Sequence, residues 1–136
     1  MKYLVDANVL SEPTRFAPSK IVVEWLRRHE RDIAIDPIIL GEVRFGVLRL
    51  AKGKRRTVLE TWFDVVVRRV RCLPFDARIG VRWGELLARL RATGKPMPIK
   101  DSLIAATALS HGLIVATRNE AEFEKAGVRT VDPFSV

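Results

Sequence analysis

Short apolar runs that stop on a polar residue, separated by stretches of helical periodicity, leave this chain few folds to adopt. Tyr3-Leu4-Val5 halts on Asp6, Ile33-Ala34-Ile35 on Asp36-Pro37, and Leu113-Ile114-Val115-Ala116-Thr117 on Arg118-Asn119. The first sets the frame. An apolar run ending on a carboxylate, followed by a small residue and an amide, reads as a buried strand that delivers Asp6 to the sheet's carboxyl edge. In open α/β sheets ligands bind at that edge. An ionised carboxylate that leaves water unpaired is costly, so Asp6 needs a backbone donor, a cation or solvent. The plainer alternative is an Asx-type turn, in which Asp6 only accepts from the amides that follow it.

Helical periodicity fills the gaps. Residues 10–18 hold two prolines with Ser and Thr and read as a loop, after which Ser19 caps a helix over residues 20–29 with Ile21, Val22, Trp25 and Leu26 as its stripe. Residues 38–51 repeat the pattern through Ile39, Val43, Val47 and Leu50, with Pro37 leading in and Gly53 as the expected stop. Glu42 borders that apolar stripe, and Gly46, one turn on, removes bulk so that another segment can approach closely. Further helices are expected over residues 54–71, from the Asp76 cap to about 91, and over residues 99–110, with a marginal strand at 72–74. The 99–110 helix is apolar or small nearly all round, so it belongs against the sheet, with Asp101 in its first turn. Gly112 ends it, the strand at 113–117 follows, and a short helix at 120–126 and a strand at 129–131 close the chain. Strand, helix, strand is the βαβ signature. The expected fold class is α/β, one domain over residues 1–136 with a central, mostly parallel β-sheet flanked by α-helices.

Composition narrows the chemistry. Cys72 is the only cysteine and His29 and His111 are isolated, so a disulfide, a thiolate cluster and an ordinary zinc site are all disfavoured. Any metal is then a hard cation on oxygen ligands. A formal net charge of +8, carried mainly by arginine, points to a polyanion such as nucleic acid. The densest clusters are Lys52, Lys54, Arg55 and Arg56, and Arg68, Arg69 and Arg71. No apolar run approaches the ~20 residues of a membrane span, and the N-terminus enters a strand without a signal peptide's apolar core. The expectation is a cytoplasmic protein without membrane contact.

If the strands are parallel, Asp6 and Asn119 leave the sheet at one edge, and two helices can present Glu42 and Asp101 toward them. Three carboxylates meeting at an amide repel one another unless a divalent cation neutralises them, and Mg²⁺ or Mn²⁺ accepts such an all-oxygen shell. An acidic pocket in a basic chain suits metal-dependent phosphodiester chemistry, with arginines on the substrate backbone. With no His, Cys or Lys expected in the cluster, general-base work falls to hydroxide on the metal or to a carboxylate.

These residues resemble a known family. Leu4-Val5-Asp6-Ala7-Asn8-Val9-Leu10-Ser11-Glu12, Glu42-Val43-Arg44-Phe45-Gly46-Val47, Asp101-Ser102-Leu103-Ile104-Ala105-Ala106-Thr107-Ala108 and Val115-Ala116-Thr117-Arg118-Asn119 are similar, in order, to the four motifs of PIN-domain ribonucleases. More closely, the chain resembles the VapC toxins of type II toxin–antitoxin modules, including the FitB-like branch. The resemblance implies a PIN-like fold and endoribonuclease activity. Asp6 and Asp101 become the principal Mg²⁺ ligands and Glu42 completes the triad. The fourth position, often aspartate in the family, falls on Asn119, which cannot supply charge or act as a base at neutral pH; Glu120 and Glu122 stand near enough in sequence to compensate. It also implies an RNA substrate, a homodimer, and a cognate VapB-like antitoxin through which alone operator DNA is reached. Two alternatives remain open from the residues. A haloacid-dehalogenase-type phosphatase also starts on a strand ending in Asp-x-Asp, but the third position here is Asn8. A non-catalytic basic nucleic-acid-binding or interaction domain requires Asp6, Glu42 and Asp101 to point apart.

Overall fold

The computed structural model describes residues 1–136. Five strands form one sheet in the order β3-β2-β1-β4-β5: β1 Tyr3–Val5, β2 Ile33–Ile35, β3 Arg71–Cys72, β4 Ile114–Ala116 and β5 Thr130–Val131. Every pairing is parallel, so the sheet is wholly and not merely mostly parallel. Seven helices connect and cover it: α1 Ala7–Leu10, α2 Lys20–Arg28, α3 Pro37–Leu48, α4 Lys54–Arg69, α5 Ala77–Thr93, α6 Ile99–His111 and α7 Glu120–Glu124. A parallel sheet exposes two apolar faces, and helices on the crossovers are how a chain buries both.

The strand order places a topological switch beside β1. From β1 the chain builds outward through β2 and β3, then returns to lay β4 and β5 on the other side. The crevice outside the carboxyl ends of β1 and β4 is therefore the place where loops part and a ligand can enter. Register makes this concrete. Val5 pairs with Ala116 and Leu4 with Ala34, so one and two residues further on the sheet's edge carries Asp36, Asp6 and Thr117 side by side.

Local signals explain most element ends. Ser19, Asp36 and Asp76 cap α2, α3 and α5 by accepting from Val22, Ile39 and Ile79 amides. Gly112 ends α6 in a left-handed conformation, φ 64°, which costs glycine nothing. The core gathers 25 buried residues around β1, β2, β4 and α6, and Ile104, Ala105 and Ala108 of α6 are sealed against the sheet.

Three local expectations are corrected. The stretch read as a loop at 10–18 is preceded by the short helix α1 and holds a 3-10 turn at Glu12–Thr14, because Asp6 caps one and Pro13 starts the other. Helix α3 ends at Leu48, before Gly53, which instead precedes α4. Gly46 does not admit a close neighbour: a Cβ there would meet nothing within 4 Å, and the residue lines an open cleft.

Candidate metal centre at the sheet's carboxyl edge

Asp6 ends β1 with its backbone amide still in the sheet, donating to the Ala116 carbonyl at 2.9 Å. Its carboxylate caps α1, with Oδ1 accepting from the Ala7 amide at 2.8 Å. Oδ2 accepts from Thr117 Oγ1 at 2.8 Å and from the Asn8 amide group at 3.3 Å. The local bond is to the amide one residue on, not two as in an Asx turn, and Asp6 also reaches β4 through Thr117. All three donors are neutral, and the residue is only 3% exposed. Burial therefore dominates and pushes the carboxyl up to about 6, against the pull of the Thr117 hydroxyl, with the negative charges of Glu42 and Asp101 pushing the same way.

Thr117 is the residue that sequence reasoning passed over. It reads as an ordinary strand end, yet parallel register sets it against Asp6, and it also accepts from the Asn119 amide at 3.0 Å. Asn8 is similarly spent, donating to Asp6 and accepting from the Arg118 amide at 3.2 Å, so the loop after β4 is stitched to the loop after β1. Asp36 was visible only as a helix start. Fully buried, it caps α3 and accepts from Thr107 Oγ1 of α6 at 2.8 Å, and burial raises its carboxyl as well. The two helices that carry Glu42 and Asp101 are fastened together through it.

Glu42 lies on α3 and Asp101 in the first turn of α6. Asp101 is 8% exposed, and burial raises its carboxyl; Lys100 pulls it down, while Glu42 and Glu122 push it up. Asp6, Glu42 and Asp101 therefore stand within one another's electrostatic reach. Contrary to expectation, a lysine joins them: Lys100 Nζ bonds Glu42 Oε2 at 2.7 Å. Glu42 Oε1 is buried without any partner. Asn119 stands at the carboxyl end of β4, exposed, with its backbone bound to Thr117. Of its acidic neighbours, Glu120 accepts from Thr130 in β5 at 2.7 Å, and Glu122 is paired with Lys125 at 3.0 Å while its charge acts on Asp101.

No three carboxylates close around a single point, and Glu42 is drawn onto the ammonium of Lys100 instead. The donor set nevertheless fits a hard divalent ion. It offers only oxygen, it leaves one buried glutamate oxygen orphaned, and its members raise one another's affinity for protons, as mutually repelling carboxylates do. A cleft of about 650 Å³ opens beside it, lined among others by Asn8, Glu42, Lys100 and Arg118 and walled further along by Arg49 and Arg55.

Residues 3–128 match the PIN domain family. The chain is 33% identical over 135 residues to VapC ribonuclease Y4jK of Sinorhizobium fredii, covering 96% of each chain. It is 35% identical over 135 residues to toxin FitB of Neisseria gonorrhoeae, covering 96% of this chain and 97% of that one. Among solved structures, FitAB bound to an IR36 DNA fragment superposes with a TM-score of 0.92 at 33% identity, covering 98% of this chain and 96% of that chain.

Proposed function

The chain belongs to the PIN-domain family, in the branch that includes VapC ribonucleases and toxin FitB, and on that footing we propose that it is a magnesium-dependent endoribonuclease, the toxin of a VapBC-like toxin–antitoxin pair. One observation carries the reading. Three carboxylates from separate elements meet electrostatically at the switch point of a parallel sheet, in a chain whose net charge is +8. Burying Asp6 and Asp101 with Glu42 acting on both costs stability, and Lys100 offsets only the charge of Glu42.

Asp6 and Asp101 are the residues that would hold Mg²⁺ or Mn²⁺, with Glu42 completing the triad. A divalent cation bound there would supply positive charge to the phosphodiester and would lower the pKa of a water so that it can attack as hydroxide. The protein's own part is positioning. Thr117 and the Ala7 amide fix the Asp6 carboxylate, and the Asp36–Thr107 bond fixes α3 against α6 and so Glu42 against Asp101. Asn119 is a neutral group that orients substrate or solvent. Arg49, Arg55 and Arg118 face the cleft where an RNA backbone would run.

The likeness to FitAB supports a VapB-like antitoxin as partner, with operator DNA reached through that antitoxin. We place the working protein in the cytoplasm, as a homodimer; no helix is long and apolar enough to cross a membrane. Neither alternative gains support. Asn8 serves as a scaffold amide, not as a phosphatase's second acid, and a passive binding domain gives no reason for Asp6 and Asp101 to be buried with Glu42 acting on both.

The test is cleavage of structured RNA by the purified protein as Mg²⁺ or Mn²⁺ is titrated, beside Asp6→Asn and Asp101→Asn. Cleavage should depend on the divalent ion, and each variant should lose at least ~10²-fold. Variants that cut as well as the parent would end the nuclease reading.

A further inference from the structure

Lys100 was not expected in an acidic site, and its surroundings give it a role. Its ammonium sits 2.7 Å from Glu42 Oε2, and Asp101 is its chain neighbour. The charges of Glu42, Asp101 and Asp6 all act on it, so it lies in the field of the whole triad. The side chain is 52% exposed and lines the cleft, so no packing demand holds it there. The attraction of the acids does.

Charge counting gives the consequence. Three carboxylates carry three negative charges, and Asn119 adds none where a fourth acid would have stood. Lys100 cancels one of the three. What remains, with Glu122 also acting on Asp101 and itself paired with Lys125, is a net negative pocket that attracts a cation.

We propose that Lys100 is a tethered counter-cation of this site: it neutralises Glu42 in the metal-free protein and has to be displaced from it by an entering divalent ion. The idea rests on the metal-dependent reading above and adds to it a residue that sets how tightly the ion is held. In the metal-free chain Lys100 keeps Glu42 from repelling Asp6 and Asp101. When an ion enters, it must compete with the ammonium for Glu42, so Lys100 weakens binding of the ion. Freed from Glu42, the ammonium remains on the cleft, where a phosphate oxygen is its natural partner.

The experiment is Mn²⁺ binding to the purified full chain by isothermal calorimetry, with free Mn²⁺ counted by electron paramagnetic resonance. Wild type, Lys100→Met and Lys100→Arg are compared. Lys100→Met should bind Mn²⁺ at least about tenfold tighter than wild type, since one repelling charge next to a ligand is gone. Lys100→Arg, which keeps the charge, should stay near wild type. A merely structural lysine would not shift the affinity. The proposal is overturned if Lys100→Met binds Mn²⁺ no more tightly than wild type, or if Lys100→Arg gains as much as Lys100→Met. A wild-type chain that binds no Mn²⁺ at all overturns the metal-dependent reading itself, and this inference with it.

Discussion

Asp6 holds its charge at a cost that burial imposes. An aspartate in the unfolded chain ionises near 3.8, whereas here burial raises the carboxyl to about 6, so the native state binds the proton more tightly than the unfolded state. The sign follows from linkage: stability rises as pH falls through 6 toward 4, and above 6 the buried charge is a standing penalty of about 3 kcal/mol. Replacing Asp6 with Asn keeps an acceptor for the Ala7 amide and removes the charge. Asp6→Asn should therefore gain about 1–3 kcal/mol of unfolding free energy at pH 7.5, and the gain should vanish near pH 4, where the wild-type carboxyl is already neutral. Urea denaturation across that range checks this. A variant no more stable than wild type at pH 7.5 would mean that the charge is compensated after all. Stability surrendered at a functional acid is the expected trade.

Helices α3 and α6 have to be held in relative position for Glu42 and Asp101 to share a site, and Asp36 is the tie. It caps α3 through Ile39 and receives the Thr107 hydroxyl of α6, both inside the core. Asp36→Ala loses a cap and orphans a buried hydroxyl, so about 2–4 kcal/mol of stability should go. Asp36→Asn retains an acceptor for Ile39 and removes a charge that burial disfavours, so its unfolding midpoint should stay at or above the wild-type value. Chemical denaturation of the two variants side by side makes the comparison. If both fell equally, the ionised form itself would be the structural requirement.

At the scale of the whole molecule the charge distribution is divided. The sheet's carboxyl edge concentrates acids, while the cleft walls and the outer faces of α4 and α5 carry arginines such as Arg68, Arg69, Arg78 and Arg82, all exposed. Such a field attracts a polyanion broadly and leaves one acidic point at which a cation can mediate contact. Binding of single-stranded RNA should then be strongly salt-dependent, weakening about 10- to 100-fold between roughly 50 and 200 mM salt if three to four phosphates are neutralised. Filter binding with the cleavage-deficient Asp101→Asn variant measures it. Affinity that ignores salt would move recognition from the arginines to the bases.

The sequence by itself marked the five strands, six of the seven helices and the three acids proposed for the site. Each strand is an apolar run bounded by polar residues, the caps Ser19, Asp36 and Asp76 and the stop Gly112 act within four residues of themselves, and Asp6, Glu42 and Asp101 interrupt patterns that predict their surroundings. Such signals are short-range, so a linear reading finds them. Only the tertiary structure decided the partners. Thr117 meets Asp6 across 111 positions, Thr107 meets Asp36 across 71, and Lys100 meets Glu42 across 58. Parallel register and the docking of α6 against α3 created those meetings, and neither is a property of any segment taken alone. A hydroxyl or an ammonium carries no mark in the sequence of the carboxylate it will face, because that pairing is fixed by how the sheet and its helices close together.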